Sequence, residues 1–292
     1  MPLAYGLTES VDVGHPAIPA SFSGGSRSKR AVSGGAGLRV AHLTDLHIVK
    51  PTQRLSRLAY QLNKVRLDLG LLTGDYMIRH RPPDAALRYL KELTQAVQPV
   101  HGWFGVLGNH DTPEFIEQAA ELPIQWLMDD AVSLDDLPID LIGLGREGRK
   151  RRPDGTRAAL AVGALLDDQD ATGNTPERLR IALTHRPDDL PLCADLGAHL
   201  AFAGHNHGGQ VRFPGITRPL FNASDLPLSL NAGMIRHRDT LMLIPRGIGS
   251  TDLLKLPVYP RVFCPPHAPI YTLRNAILPG EHTDDITSIW KW

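Results

Sequence analysis

Between Leu38 and Asp111 the chain runs three times from a short apolar, β-prone stretch into a polar cluster, with a helical repeat after each. "LRVAHLTD" delivers Asp45 and His47, and Leu55, Leu58, Leu62 and Val65 then recur at helical spacing. "LGLLTGD" ends on Gly74-Asp75, and Leu87, Leu90, Leu93 and Val97 follow, with Pro82 and Pro83 where a helix can begin. "VHGWFGVLGNHD" ends on Asn109, His110 and Asp111, and Pro113 opens a helix to about Leu122. A β-α-β-α-β-α order predicts parallel strands joined by helical crossovers, with their polar ends gathered along one edge of a sheet.

The second half reads differently. "AVSLDD", "IDLIGLG" and "RAALAVGALL" read as strands with few helices between them, and "RLRIALTHRP" and "AHLAFAGHNHGGQVRFP" are apolar runs broken by histidines. "TLMLIPRGIGS" and "APIYTLR" predict late strands, and "GEHTDDITSIWKW" a polar tail docked on the body. The expected architecture is one α/β domain over residues 38–292, a two-layered β-sheet sandwich flanked by helices. Residues 1–37, rich in Gly, Ser and Pro, predict a mobile extension.

Bulk properties narrow the function classes. Apolar residues make up 42% of the 292 residues, enough for a sizeable core. Basic and acidic side chains number 31 each, so no global charge draws the chain to nucleic acid or to an anionic membrane. The two cysteines, Cys193 and Cys264, make neither a disulfide framework nor a zinc ribbon, and suit a reducing compartment. No apolar run approaches the ~20 residues of a membrane helix, and the N-terminus lacks the pattern of an export signal. The expected location is cytoplasmic.

The polar clusters carry the chemistry. They are Asp45-x-His47, Gly74-Asp75, Gly108-Asn109-His110-Asp111, His185 after "IALT", and Gly204-His205-Asn206-His207. Singly each is weak, since a "GD" after a strand is usually a turn and a lone histidine is usually structural. Jointly they supply Asp45, His47, Asp75, Asn109, His185, His205 and His207, a nitrogen and oxygen set suited to two adjacent divalent ions with a bridging carboxylate. Residues two apart in a strand face the same side, so an extended Asp45/His47 or His205/His207 pair is expected to aim both side chains at one centre.

In order, "DLH", "GD", "GNHD", "TH" and "GHNH" resemble the five blocks of the calcineurin-like metallophosphoesterases, over roughly Leu38 to Arg274. "GHNHGGQVRFP", "RGIGS" and "PRVFCPPHAPIYTLR" resemble a bacterial phosphodiesterase-type subgroup, with Asn206 in place of a usual threonine and His267 where glutamate is common. The resemblance implies an αββα fold. It also implies a hydrolase using two divalent ions (manganese, iron, zinc or magnesium), whose bridging hydroxide attacks phosphorus. Asp45, His47 and His207 would hold one ion, Asn109, His185 and His205 the other, and Asp75 would bridge. His110, beside Asn109, would serve the leaving group. Many relatives carry a second aspartate that orients this histidine, where this chain has Ile78; Asp111 or a backbone carbonyl is the expected substitute. The implied substrate is a small phosphodiester or pyrophosphate, with a nucleotide- or lipid-linked molecule and peripheral membrane contact as a special case.

Several residues have plainer readings. His42, at odd spacing from Asp45, is expected in the core, whereas His15, His80, His237 and His282 read as surface or loop residues. Tyr76 and Met77 fit either the substrate mouth or packing. The basic run from Arg146 to Arg157 reads as a solvated loop. The competing functions are a metal-binding scaffold without turnover, which Ile78 favours, and a nuclease, which the balanced charge disfavours.

Overall fold

The computed structural model describes residues 8–22, 37–145, 155–171, 178–213, 219–220, 223–250, 261–276 and 283–291. Among them, two sheets pack face to face. The first contains β1 (Ser10–Gly14), β2 (Leu38–Leu43), β3 (Leu69–Thr73), β4 (Trp103–Val106), β5 (Ile124–Trp126) and β12 (Ile270–Arg274) in the order β1-β12-β2-β3-β4-β5. The second contains β6 (Asp130–Leu134), β7 (Ile139–Gly143), β8 (Leu179–Leu183), β9 (Leu200–Phe202), β10 (Gly233–His237), β11 (Thr240–Ile244) and β13 (Thr287–Trp290), ordered β13-β10-β11-β9-β8-β7-β6.

As expected, β2, β3 and β4 run parallel; β5 extends that set, and β7, β8, β9 and β11 of the second sheet are parallel as well. Apart from β5, these strands are buried on both faces, so they read as unbroken apolar runs rather than alternating ones. Between the sheets lies a core that includes Val40, Leu71, Phe104, Leu141, Ile181 and Phe202. Helices α1 (Gln53–Asn63), α2 (Asp84–Ala96) and α3 (Pro113–Ala119) cover the outer face of the first sheet with Leu58, Leu62, Leu90, Leu93 and Phe115. Their starts follow sequence signals: Thr52 and Thr112 cap α1 and α3 through their hydroxyls, and Pro83 precedes α2. The second sheet is covered by α4 (Gly155–Ala171) and α5 (Leu190–Asp195).

Three expectations fail. "RAALAVGALL" lies within helix α4, not a strand; Ala158, Val162 and Leu166, four apart, are the residues it turns to the sheet. An apolar run this short has no decisive period, and its alanines and leucines favour the helix. Residues 10–14, read as part of a mobile extension, form edge strand β1, parallel to β12, and bury Val11 and Val13. A strand of only five residues ahead of a Gly- and Ser-rich stretch carries a short alternating signal, and its partner is some 260 positions away (Ser10 pairs with Ile270). His15 and His237 are buried rather than exposed; His15 accepts from the Ala17 amide through Nδ1 and donates to the Asp239 carbonyl through Nε2. His42 is a core residue against Phe202, bonded to the Thr73 hydroxyl. His282 and the basic run from Arg146 to Arg152 lie outside the described residues. The polar tail docks as β13, antiparallel to β10.

Candidate metal centre

The loops after β2, β3, β4, β8 and β9 leave the same edge of the sandwich and are stitched together by their backbones. Asp45 N–H donates to the Gly74 carbonyl (3.0 Å), His47 N–H to Asp75 (3.0 Å) and Gly204 N–H to His185 (3.0 Å). Close approach of these loops needs missing side chains. A Cβ at Gly108 would strike Asp75, and one at Gly204 would strike Thr44.

All seven candidate ligands meet here, and they form two groups that share Asp75. The donor atoms of Asp45, His47, Asp75 and His207 lie within 4.8 Å of one another, as do those of Asp75, His185 and His205. The shared oxygen is Asp75 Oδ2, 3.5 Å from His47 Nε2 and 3.3 Å from His185 Nε2. His207 Nε2 is 3.4 Å from Asp45 Oδ1 and 3.0 Å from His47 Nε2. Asn109 joins the second group, its Oδ1 3.2 Å from His185 Nε2.

The route by which the paired residues reach the centre is not the expected one. Asp45 (φ 52°), His47 (φ 42°), Asp75 (φ 58°), His205 (φ 71°) and His207 (φ 52°) all occupy the left-handed region, so neither pair is extended. In the second pair Asn206 is right-handed (φ −82°), and the alternation turns both flanking histidines inward. Each such residue costs on the order of 1–3 kcal/mol and persists because its surroundings over-determine it. Here the stitched loops and the carboxylates do so: the His205 amide, for example, donates to Asp45 Oδ2 at 3.0 Å.

The donor set fits a cation. His47 and His185 direct Nδ1 to the carbonyls of Met77 (3.1 Å) and Thr73 (2.7 Å), and His205 directs Nε2 to Ala223 (3.1 Å). With that nitrogen protonated, the other, which faces the centre, is a lone pair in the neutral ring. His205 Nδ1 and His185 Nε2 then face each other at 3.2 Å beside carboxylates, an arrangement that calls for a shared positive charge. In the protein alone a proton provides it. Burial opposes charge on His185, but Asp75 and Asp45 outweigh burial and push its pKa up to about 9. Burial raises Asp45 to about 7, with His185 opposing and Asp75 adding to the rise. Burial acts the same way on Asp75, but His185 and His47 hold it well below the usual carboxylate range. Burial drives His47 down to about 3 and His205 and His207 well below their ordinary value. With no sulfur among the donors, the set suits borderline and hard divalent ions.

His110 is half-buried, edge-on to His47 with ring centroids 4.8 Å apart, and its amide donates to Asp75 Oδ1 at 2.8 Å. Asp111 does not orient it. Both Asp111 oxygens are taken by the amides of Asp75 (2.9 Å), Tyr76 (2.8 Å) and Gly108 (2.7 Å), so this carboxylate ties two ligand loops together. The group that meets His110 Nδ1 is the Arg79 amide, donating at 3.4 Å, one residue past the Ile78 that replaces the expected aspartate. Tyr76 and Met77 are fully buried and serve packing, Tyr76 donating to the Val106 carbonyl at 2.7 Å.

Sequence reading missed the supports behind the ligands. Thr44 donates to Asp45 (3.1 Å), and half-buried Arg261 reaches the His207 carbonyl and Nδ1 (3.3 Å each) and the Arg246 carbonyl (2.8 Å). Arg261 sits in the "PRVFCPP" block, but nothing in that block's spacing points toward position 207.

Comparison with known proteins gives the chain's family. Residues 38–209 match the calcineurin-like phosphoesterase family. The phosphodiesterase YaeI of Escherichia coli is 26% identical over 78% of this chain and 81% of its own length. The uncharacterized metallophosphoesterase YkoQ of Bacillus subtilis is 24% identical over 74% and 78%. A UDP-2,3-diacylglucosamine pyrophosphatase, LpxG of Chlamydia muridarum, is 21% identical over 79% and 82%. With that match covering more than half of the chain, and a buried aspartate–histidine cluster suited to metal at the expected strand ends, the protein belongs to the calcineurin-like phosphoesterase family.

Proposed function

We propose that the protein hydrolyses phosphodiester or pyrophosphate-type bonds of a small phosphorylated substrate with two divalent ions. The observation that carries this reading is Asp75 Oδ2, the one oxygen common to two clusters of ligand atoms. Asp45, His47 and His207 would hold one ion, Asn109, His185 and His205 the other, and Asp75 both. Bound ions supply Lewis acidity toward the phosphoryl oxygens and lower the pKa of water to near neutrality.

The chain's own residues do the rest. The carbonyls behind His47, His185 and His205 fix which nitrogen faces the centre. The Asp75 oxygen not shared between the clusters accepts from the His110 amide, which sets His110 beside the phosphorus site. Because Nδ1 of His110 accepts from the Arg79 amide, the neutral ring carries its proton on Nε2, from which it can be donated to the leaving oxygen. The preference for diesters and pyrophosphates draws on the names of YaeI and LpxG.

The test is hydrolysis of bis(4-nitrophenyl) phosphate and 4-nitrophenyl phosphate by metal-stripped protein and by protein reloaded with manganese, iron, zinc or magnesium. The expected result is turnover of the diester in at least one reloaded form and none after stripping. Two tightly bound ions with no turnover under any metal would reassign the chain as a scaffold.

A further inference from the structure

Three of the ligand histidines turn their outer nitrogen to a backbone carbonyl, and one of those carbonyls is placed unlike the others. His47 and His185 meet Met77 and Thr73, which the sheet edge itself holds: Thr73 ends β3, and Met77 is bridged to Ile48. His205 Nε2 meets Ala223, an exposed residue in neither a strand nor a helix. A carbonyl on an exposed segment fixes a ring only if something fixes the segment.

Asp188 supplies that hold. It lies three residues after His185, in the short turn that follows β8. Its Oδ1 accepts from the Asp225 amide at 2.7 Å, two residues beyond Ala223. Its Oδ2 accepts from Arg186, from Nε at 2.6 Å and Nη2 at 2.5 Å. The turn is fixed at its base, where the Thr184 hydroxyl donates to Asp189 at 2.6 Å. Both oxygens of Asp188 are therefore committed, one to the ligand-bearing turn and one to the segment that carries Ala223. The side chains of Arg186 and Asp188 are only 18% and 16% exposed, so these charge-assisted bonds are partly shielded from water. The Asp225 carboxylate, 3.7 Å from Arg186, is 81% exposed and adds little.

We infer that Asp188, oriented by Arg186, is a positioning residue for His205: by holding the Asp225 amide it keeps the Ala223 carbonyl on His205 Nε2, and so keeps Nδ1 as the nitrogen that faces the centre. This rests on the function proposed above only in taking His205 as a ligand of the second ion. A neutral imidazole has two tautomers, and Nδ1 offers a lone pair only when Nε2 carries the proton. Without the carbonyl the ring is free to move its proton to Nδ1 or to turn away, and either change removes the donor. Groups behind a ligand histidine are worth about 10- to 100-fold in metal affinity. The effect is one-sided, because Asp188 reaches none of the supports of His47 and His207, which are the Met77 carbonyl and Arg261.

The test uses the full chain as wild type, Asp188→Ala and Asp188→Asn, the last of which keeps an oxygen for the Asp225 amide but loses the charge. Long-range proton–nitrogen NMR of the metal-stripped proteins reads the His205 ring. The wild type and Asp188→Asn should carry the ring proton on Nε2, and Asp188→Ala should show a mixture of tautomers. Dialysis against manganese then reads both ions. Asp188→Ala should weaken one of the two by about tenfold or more and leave the other within twofold, and Asp188→Asn should restore most of the loss. A wild-type ring and wild-type affinities in Asp188→Ala would overturn the inference. So would equal weakening of both ions, or a loss in Asp188→Asn as large as in Asp188→Ala, which would make the effect one of charge rather than position. If Asp188→Ala does not fold, Arg186→Gln decides: it should shift the same ring signal and weaken the same single ion, and no change in either overturns the role. If the wild type binds no ion, the broader phosphoesterase reading fails, and the ring signal alone settles whether Asp188 positions His205.

Discussion

The two ligand clusters meet at one carboxylate but are built unequally. The Asp45/His47/His207 side has a carboxylate of its own in addition to Asp75, and the half-buried Arg261 behind His207. The Asn109/His185/His205 side has only the shared one, with carbonyl oxygens behind both histidines. Their protons differ accordingly. On the first side the proton that a cation must displace sits on Asp45, raised to about 7, and on the second it sits on His185, raised to about 9. A centre that looks symmetric in its residue types is therefore asymmetric in what each half must give up to bind an ion.

The largest effect is expected where the comparison collapses. Asp75→Asn removes the shared charge, and activity on a chromogenic diester should fall by about 1,000-fold or more. That estimate follows the several kcal/mol of transition-state stabilisation that metal catalysis contributes. Retention of even a tenth of the wild-type rate would mean that Asp75 is not the bridge.

Next come substitutions that separate the halves. His207→Ala should leave one ion, held by His185 and His205, and His205→Ala should leave the other. Each should reduce turnover by about 100-fold or more, with metal content read by mass spectrometry. Loss of both ions from either variant would show that the halves do not bind independently.

A smaller, graded effect comes from pH. Both key groups have raised pKa values, so each holds its proton below that value and releases it as pH rises. Cation affinity should therefore fall on acidification, by about tenfold per pH unit for each displaced proton. Affinity on the Asp45 side should level off above about pH 7, whereas the His185 side should keep gaining up to about pH 9. Titration with manganese in His205→Ala and His207→Ala separates the two curves, and identical pH dependence would remove the asymmetry.

The smallest effect is on the loops rather than the ligands. Asp111→Asn leaves one of three backbone amides poorly satisfied, which costs about 1–3 kcal/mol of stability. Thermal unfolding should shift down while two ions still bind at saturating metal. A loss of ions without loss of stability would make Asp111 a ligand.

Much of this centre could be read from sequence, and the reason is geometric. In β2, β3 and β4 the strand is buried on both faces, so an apolar run that stops at a polar residue marks the sheet edge. The same logic held for His185 after β8 and His205 after β9. What could not be read depends on contacts between distant positions. Edge strand β1 is specified by its pairing with β12, and α4 by the sheet it covers. The left-handed backbone at Asp45 and His47 is the clearest case. Aspartate and histidine are enriched at φ > 0 yet still adopt it in a minority of cases, so the two-residue spacing read as extended when it is a tight turn held by the loops beside it. The partner of His110 was equally hidden, because a backbone amide leaves no mark in the residue types.

The central claim is that one carboxylate organises two ions. Equilibrium dialysis of metal-stripped protein against manganese, at pH 8, tests it directly in the wild type and in Asp75→Asn. Two ions per chain in the wild type and none in the variant is the predicted result. A wild type that binds fewer than two, or a variant that still binds two, would contradict it.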